Sequence, residues 1–223
     1  LSLRKPIEVF RFVDVPEPPV PSIGRGFSAP VIIEHGYGDT ALRHLLTYDA
    51  DPFNRWEAGQ RLAMTVLLKG VAAQRAGHPV KFPDSFAHAF GRVLDGAAQD
   101  PAFVAEALAL PPEVVIAEQL DEIDPEAVHK VRLALRRFLA ERLRDKLQSC
   151  YETAVTPGPY RPDAQSRGRR ALRILFLAFL MALAAAPARR LCLAQLESAD
   201  NMTDAMTALT ALANCDCPER RPA

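Results

Sequence analysis

The sequence has no excess of charge of either sign. Its 27 Lys and Arg balance 27 Asp and Glu, so no global field draws the chain to nucleic acid or anionic lipid, and a general polyanion binder is disfavoured. It also lacks a long apolar run: the longest, Ile174 to Pro187, has 14 residues, short of the roughly 20 that cross a bilayer. Arg173 and Arg189 flank this run, which reads as a buried helix and not a membrane span. Leu1 to Val15 carries Arg4, Lys5, Glu8, Arg11 and Asp14, so no signal-peptide apolar core is present there. There are only four cysteines, Cys150, Cys192, Cys215 and Cys217, and no Cys-x-x-Cys, which fits a reducing, cytoplasmic setting. Cys215 and Cys217 form a Cys-x-Cys, but no second pair or nearby histidine completes a metal ligand set, so they read as free thiols.

Several chemistries are missing as well. A zinc peptidase helix needs His-Glu-x-x-His, and His35, His44, His78, His88 and His129 are followed by Gly, Leu, Pro, Ala and Lys. Val31-Ile-Ile-Glu-His-Gly-Tyr-Gly38 looks like the oxyanion loop of an α/β-hydrolase. However, Gly26-Phe-Ser-Ala-Pro30 lacks the final glycine of a nucleophile elbow and precedes the loop instead of following it. Gly24-Arg-Gly26 and Gly36-Tyr-Gly38 are too short to cradle phosphate. Arg167, Arg169, Arg170 and Arg173 form a basic cluster with no stacking aromatics close by, and they read as the border of a buried helix more than as a nucleic-acid patch.

What the sequence does have is 49% apolar residues, enough for a sizeable core. In residues 1–34, Ile7, Val9, Val13 and Val15 alternate with Glu8, Phe10, Phe12 and Asp14, and Val31 to Ile33 is β-branched. Two strands are expected, joined by a Pro- and Gly-rich connector, and two strands alone are marginal without partners. From Asp39 the pattern turns helical. Asp-Pro at 51–52, 100–101 and 124–125 reads as an N-cap followed by proline at the first helical position. Further starts at Pro83, Pro111 and Pro162 give helices near 39–49, 52–76, 84–97, 101–109, 112–120, 125–154, 163–186 and 200–214, with Gly77 closing the second. Val128, Val131, Leu135, Phe138, Leu139, Leu143, Leu147 and Cys150 form the clearest apolar stripe, along a helix about 45 Å long. Ala58, Gly59, Ala63 and Gly70 leave notches for a neighbouring backbone. The fold class is mainly α: antiparallel helices stacked as a solenoid or irregular superhelix, preceded by a short β segment.

Three stretches together resemble one family: Arg25-Gly-Phe-Ser-Ala-Pro-Val31, Asp51-Pro-Phe-Asn-Arg-Trp-Glu-Ala-Gly-Gln-Arg-Leu62 and Ala199-Asp-Asn-Met-Thr-Asp-Ala205. With Pro157-Gly-Pro-Tyr160 and Leu120-Asp-Glu-Ile-Asp-Pro125, they are similar to the M1 zinc metallopeptidases of the bacterial aminopeptidase type, over essentially the whole chain. The resemblance implies a multidomain enzyme with zinc in an upstream catalytic domain, then a β-sandwich, then a large helical domain. Residues 1–36 would be the last strands of that sandwich, and 37–223 the first part of the helical domain, an excerpt of a longer polypeptide. The implied partners are the catalytic domain of the same polypeptide and peptide substrates, with neither nucleic acid nor membrane. No residue is assigned to catalysis or to metal, because the family's zinc signature and its Glu-Asn-containing motif are not here. Arg55 and Trp56 are candidate interdomain contacts, although Trp56 reads equally well as a core anchor with Arg55 as its surface neighbour. The competing reading is a stand-alone helical-repeat scaffold that binds a partner peptide.

Overall fold

Aspartate and proline set where the helices begin. In the computed structural model, which describes residues 4–27 and 31–220, the carboxylates of Asp51, Asp100 and Asp124 accept the N–H groups of Asn54, Phe103 and Ala127 at 3.0, 3.0 and 2.9 Å. Each is followed by proline in the first turn, where a missing N–H is harmless. Asp163 caps a fourth helix through the N–H and the hydroxyl of Ser166. The helices are α1 Asp39–Tyr48, α2 Pro52–Arg75, α3 Asp84–Leu94, α4 Pro101–Ala107, α5 Glu113–Ala117, α6 Pro125–Arg142, α7 Arg144–Thr153, α8 Ala164–Met181, α9 Ala186–Ser198 and α10 Met202–Ala213. Gly77, at φ 70°, closes α2: its own N–H donates to Gln74 O and that of His78 to Ala73 O, satisfying carbonyls the helix end leaves free.

Short links fold successive helices back on each other, as in α1 on α2 and α9 on α10. The helix α8 runs through the centre and packs against α4, α6, α7, α9 and α10, while α2 packs against α1, α4, α5 and α6. On α8, Leu172, Phe176, Leu177, Phe179 and Leu180 are buried, each worth about 1.5–3 kcal/mol of transfer free energy. Close crossings rest on small residues. A Cβ on Gly168 of α8 would lie 3.0 Å from the Ala102 backbone nitrogen of α4. The Gly59 notch does face a backbone, the Ala107 carbonyl at 3.5 Å, but the Gly70 notch is filled by the Val131 side chain of α6.

Two expectations about the helices need correction. The single helix over 125–154 is broken: Leu143 sits at φ −120°, ψ 17°, and divides it into α6 and α7. The i to i−4 hydrogen bonds of Leu143 and Leu147 survive on either side, and neither Pro nor Gly marks the break. The two halves also pack differently, α6 mainly on α2 and α5 and α7 mainly on α8, although α6 touches α8 as well. Likewise the helix expected to run to 186 stops at Met181, and α9 was absent from the expected set. Ala184 turns the chain at φ 51°, a conformation that glycine usually signals, and Pro187 then sits in the first turn of α9 instead of ending an apolar run.

The strands expected in residues 1–34 are not seen among the described residues, where no ladder forms and Ile7, Val9, Phe12, Val13, Val31 and Ile32 are exposed. A strand without a neighbour leaves its backbone groups unpaired.

Candidate interdomain interface

Residues 20–27 and 31–37 return to the helices and are held at the corner between α1 and α2. The cap of α2 does double duty here. Asp51 uses one carboxylate oxygen for Asn54 N–H and the other for Gly26 N–H, both at 3.0 Å. Those backbone donors, Asn54 foremost, hold its carboxyl below the usual aspartate range. Two residues earlier, Asp49 accepts from Arg25 Nη1 at 2.7 Å and from Asp51 N–H at 2.8 Å, with its side chain only 1% exposed. Arg25 also donates to Ser22 Oγ, which accepts from Asn54 Nδ2 at 2.8 Å. The Arg25 and Asp51 stretches that sequence reading singled out are therefore bound to each other; Ser28, Ala29 and Pro30 of the first lie outside the described residues.

A second set of contacts fixes the histidine loop. Arg61 of α2 donates to the His35 carbonyl at 2.8 Å, and the Tyr37 hydroxyl donates to Pro21 O at 2.7 Å. His35 stacks on Tyr37 with centroids 4.0 Å apart. Burial pushes the Tyr37 phenol above its usual value, with Arg61 opposing. The loop that looks like an oxyanion donor thus spends its carbonyl on anchoring. Between it and α1 and α2 lies a cavity of about 310 Å³, lined by Ile23, Ile33, Tyr37, Phe53, Glu57 and Arg61 among others.

Of the two candidate interface residues, Arg55 faces into the chain. It donates from Nε to Leu46 O at 3.1 Å and sits 4.5 Å over the Phe103 ring, so it joins the end of α1 to α4. Burial lowers its guanidinium pKa, and Asp100 and Asp49 oppose that. Trp56 is half-buried, its ring 5.6 Å from that of Phe53.

The other stretches also turn out to be anchors. In Ala199–Ala205, Asn201 caps α10 by accepting Asp204 N–H at 3.0 Å and returns its Nδ2 to the Asp204 carboxylate at 2.9 Å. Gln195 joins this connection to the core: its Nε2 donates to Asp204 O, its Oε1 accepts from the Tyr151 hydroxyl, and Arg173 donates to the same hydroxyl. Tyr160 lies beneath the buried Arg170, 4.6 Å away, and Arg170 donates to Arg161 O at 2.9 Å. Of the arginine cluster, Arg167 is exposed, Arg169 and Arg173 half-buried and Arg170 buried, so the four do not make one basic surface. The links beyond the α10 cap were missed in the sequence because they join residues from 9 to 44 positions apart that no local pattern connects. The one readable signal was the cap pattern of Asn201 followed by Asp204.

Among the described residues, no group of three or more His, Cys, Asp and Glu side chains could hold a metal ion. No helix of theirs is long and apolar enough to cross a membrane.

Residues 39–223 match a family described as a domain of unknown function, DUF3458_C, with ARM repeats. The chain is 37% identical over 220 residues to aminopeptidase N of Escherichia coli, covering 99% of this chain and 25% of that protein. It is 39% identical over 195 residues to aminopeptidase N of Caulobacter vibrioides, covering 87% and 22%. Its fold matches that of Legionella pneumophila aminopeptidase A, solved in complex with aspartic acid, with a TM-score of 0.77 at 23% identity, covering 95% of this chain and 25% of the other. The chain thus spans about a quarter of the curated relatives it matches. The aminopeptidase resemblance carried by its motifs is the one its relatives bear by name, and the stacked helices from Asp39 onward make it a member of the DUF3458_C family of ARM-repeat domains.

Proposed function

We propose that this chain is a non-catalytic helical part of an M1 zinc aminopeptidase, enclosing the active-site chamber and restricting which peptides reach it. Residues 1–36 would complete a β-sandwich with strands from the rest of that polypeptide, and 37–223 would begin the helical domain. Removal of N-terminal amino acids, the zinc that supports it and the peptide substrates would all belong to the intact enzyme, in the cytoplasm. The observation that carries this reading is the match to aminopeptidase N along 99% of the chain but only 25% of the relative. The latch at Asp49 and Asp51 supports it too, because an ordered connection is what a wall built against another domain requires.

The test is direct. The purified chain, supplied with excess zinc, should not hydrolyse aminoacyl anilides above the uncatalysed rate. Zinc-dependent turnover that follows the chain through purification would overturn the reading. So would a coding sequence with no His-Glu-x-x-His upstream of Leu1, an outcome that favours the helical-repeat scaffold.

A further inference from the structure

Three of the four thiols converge on one seam where α9, α10 and the following turn meet. Cys192 of α9 is fully buried, with Sγ 3.4 Å from the Ala208 carbonyl of α10. The helix α10 ends at Ala213, and Cys215, two residues beyond it, packs against the core together with Cys217, both near enough to Cys192 to act on its thiol. Arg189, one turn before Cys192 on α9, pairs with Glu219 at 3.0 Å, both side chains nearly four-fifths buried. That pair holds the turn Pro218–Arg220 against α9, and Cys217 is the residue that leads into this turn. Both are half-buried free thiols packed against the core, and the Cys217 thiol acts on both Cys215 and the Glu219 carboxylate.

We propose that Cys215 and Cys217 form a redox-active dithiol that closes to an intramolecular disulfide by exchange with a low-molecular-weight disulfide such as oxidised glutathione, while Cys192 behind them stays reduced. Chain geometry allows it. Residues two apart cannot have Cα atoms more than about 7 Å apart, and a disulfide spans about 4.4–6.8 Å. The stretch from Asn214 to Cys217 is turn and bend, not helix, so its dihedrals can adjust. One cysteine sulfur loses its proton and attacks a glutathione sulfur, breaking that S–S bond and releasing one glutathione, which takes up the proton. The second cysteine then attacks the protein sulfur of the mixed disulfide and displaces the second glutathione. Two protein thiols are oxidised and one glutathione disulfide is reduced to two thiols. Cys192 is kept out by complete burial, which also pushes its thiol pKa up to about 12. Burial and the neighbouring Cys217 raise the Cys215 thiol as well, but Cys215 and Cys217 are only half-buried and stay within reach of a small disulfide.

The experiment equilibrates the reduced chain in glutathione buffers of rising oxidised share, traps free thiols by alkylation and reads whole-chain and tandem mass spectra. The wild-type chain should lose two thiols together, hold no glutathione and yield a link between Cys215 and Cys217. Cys215→Ser and Cys217→Ser should each instead retain one glutathione on the remaining cysteine, with helical circular dichroism unchanged. A wild-type chain that keeps all its thiols, holds glutathione, or links Cys192 or Cys150 overturns the proposal.

Discussion

Asp51 shows how much one side chain carries at this corner. It caps α2 and, through its second oxygen, holds Gly26 of the leading segment. Asp51→Ala should cost about 1 kcal/mol near neutral pH, the usual loss of a helix cap, read by urea denaturation. The sign with pH follows from its depressed carboxyl: the stabilisation is complete above the unfolded value of about 4 and disappears as pH falls through the lower folded value. Wild type and variant should therefore converge in acid; a gap that persists to about pH 2 would mean that something other than the ionised cap separates them. The cap was legible in the sequence because Asp-Pro is a local signal. Its bond to Gly26 was not, since nothing local joins residues 25 apart.

Between elements, small residues decide how close two helices come. A Cβ on Gly70 would meet Val131 Cγ1 at 2.6 Å, and valine in a helix has little rotamer freedom with which to yield. Gly70→Ala should gain about 1 kcal/mol of helix propensity and lose about 1–3 kcal/mol to overpacking, a net destabilisation. Adding Val131→Ala should then cost less than the same change made alone, a coupling that a double-mutant cycle in thermal melts can measure. Additive effects would mean the crossing relaxes freely. At this scale the apolar periodicity of α6 and α7 was readable, and Val128, Val131, Leu135, Leu139 and Leu147 are all buried. The break at Leu143 was not, because the apolar stripe continues through it and neither Pro nor Gly marks it.

For the whole molecule, the leading segment is fastened by a few polar links at the α1–α2 corner, while the helices share a continuous core. Arg25→Ala, which removes the contacts to Asp49 and Ser22, should make residues 4–24 several-fold more sensitive to proteolysis and leave the thermal melt of the helical bulk nearly unchanged. Equal loss of both would show that segment and helices unfold as one unit. The stretches that mark the resemblance sit at such fastenings: Arg25 on Asp49, Asn201 on Asp204, Tyr160 under Arg170.

By itself the sequence determined that the chain is a stack of capped helices with a core large enough to hold them, because caps, prolines and apolar periodicity act within a turn or two of the residues that carry them. Only the tertiary structure decided where the long helix breaks, how α9 departs from α8 at an alanine with positive φ, which arginines turn inward, and that three cysteines share a seam. Each of these depends on which surfaces meet, and no window of neighbouring residues encodes that.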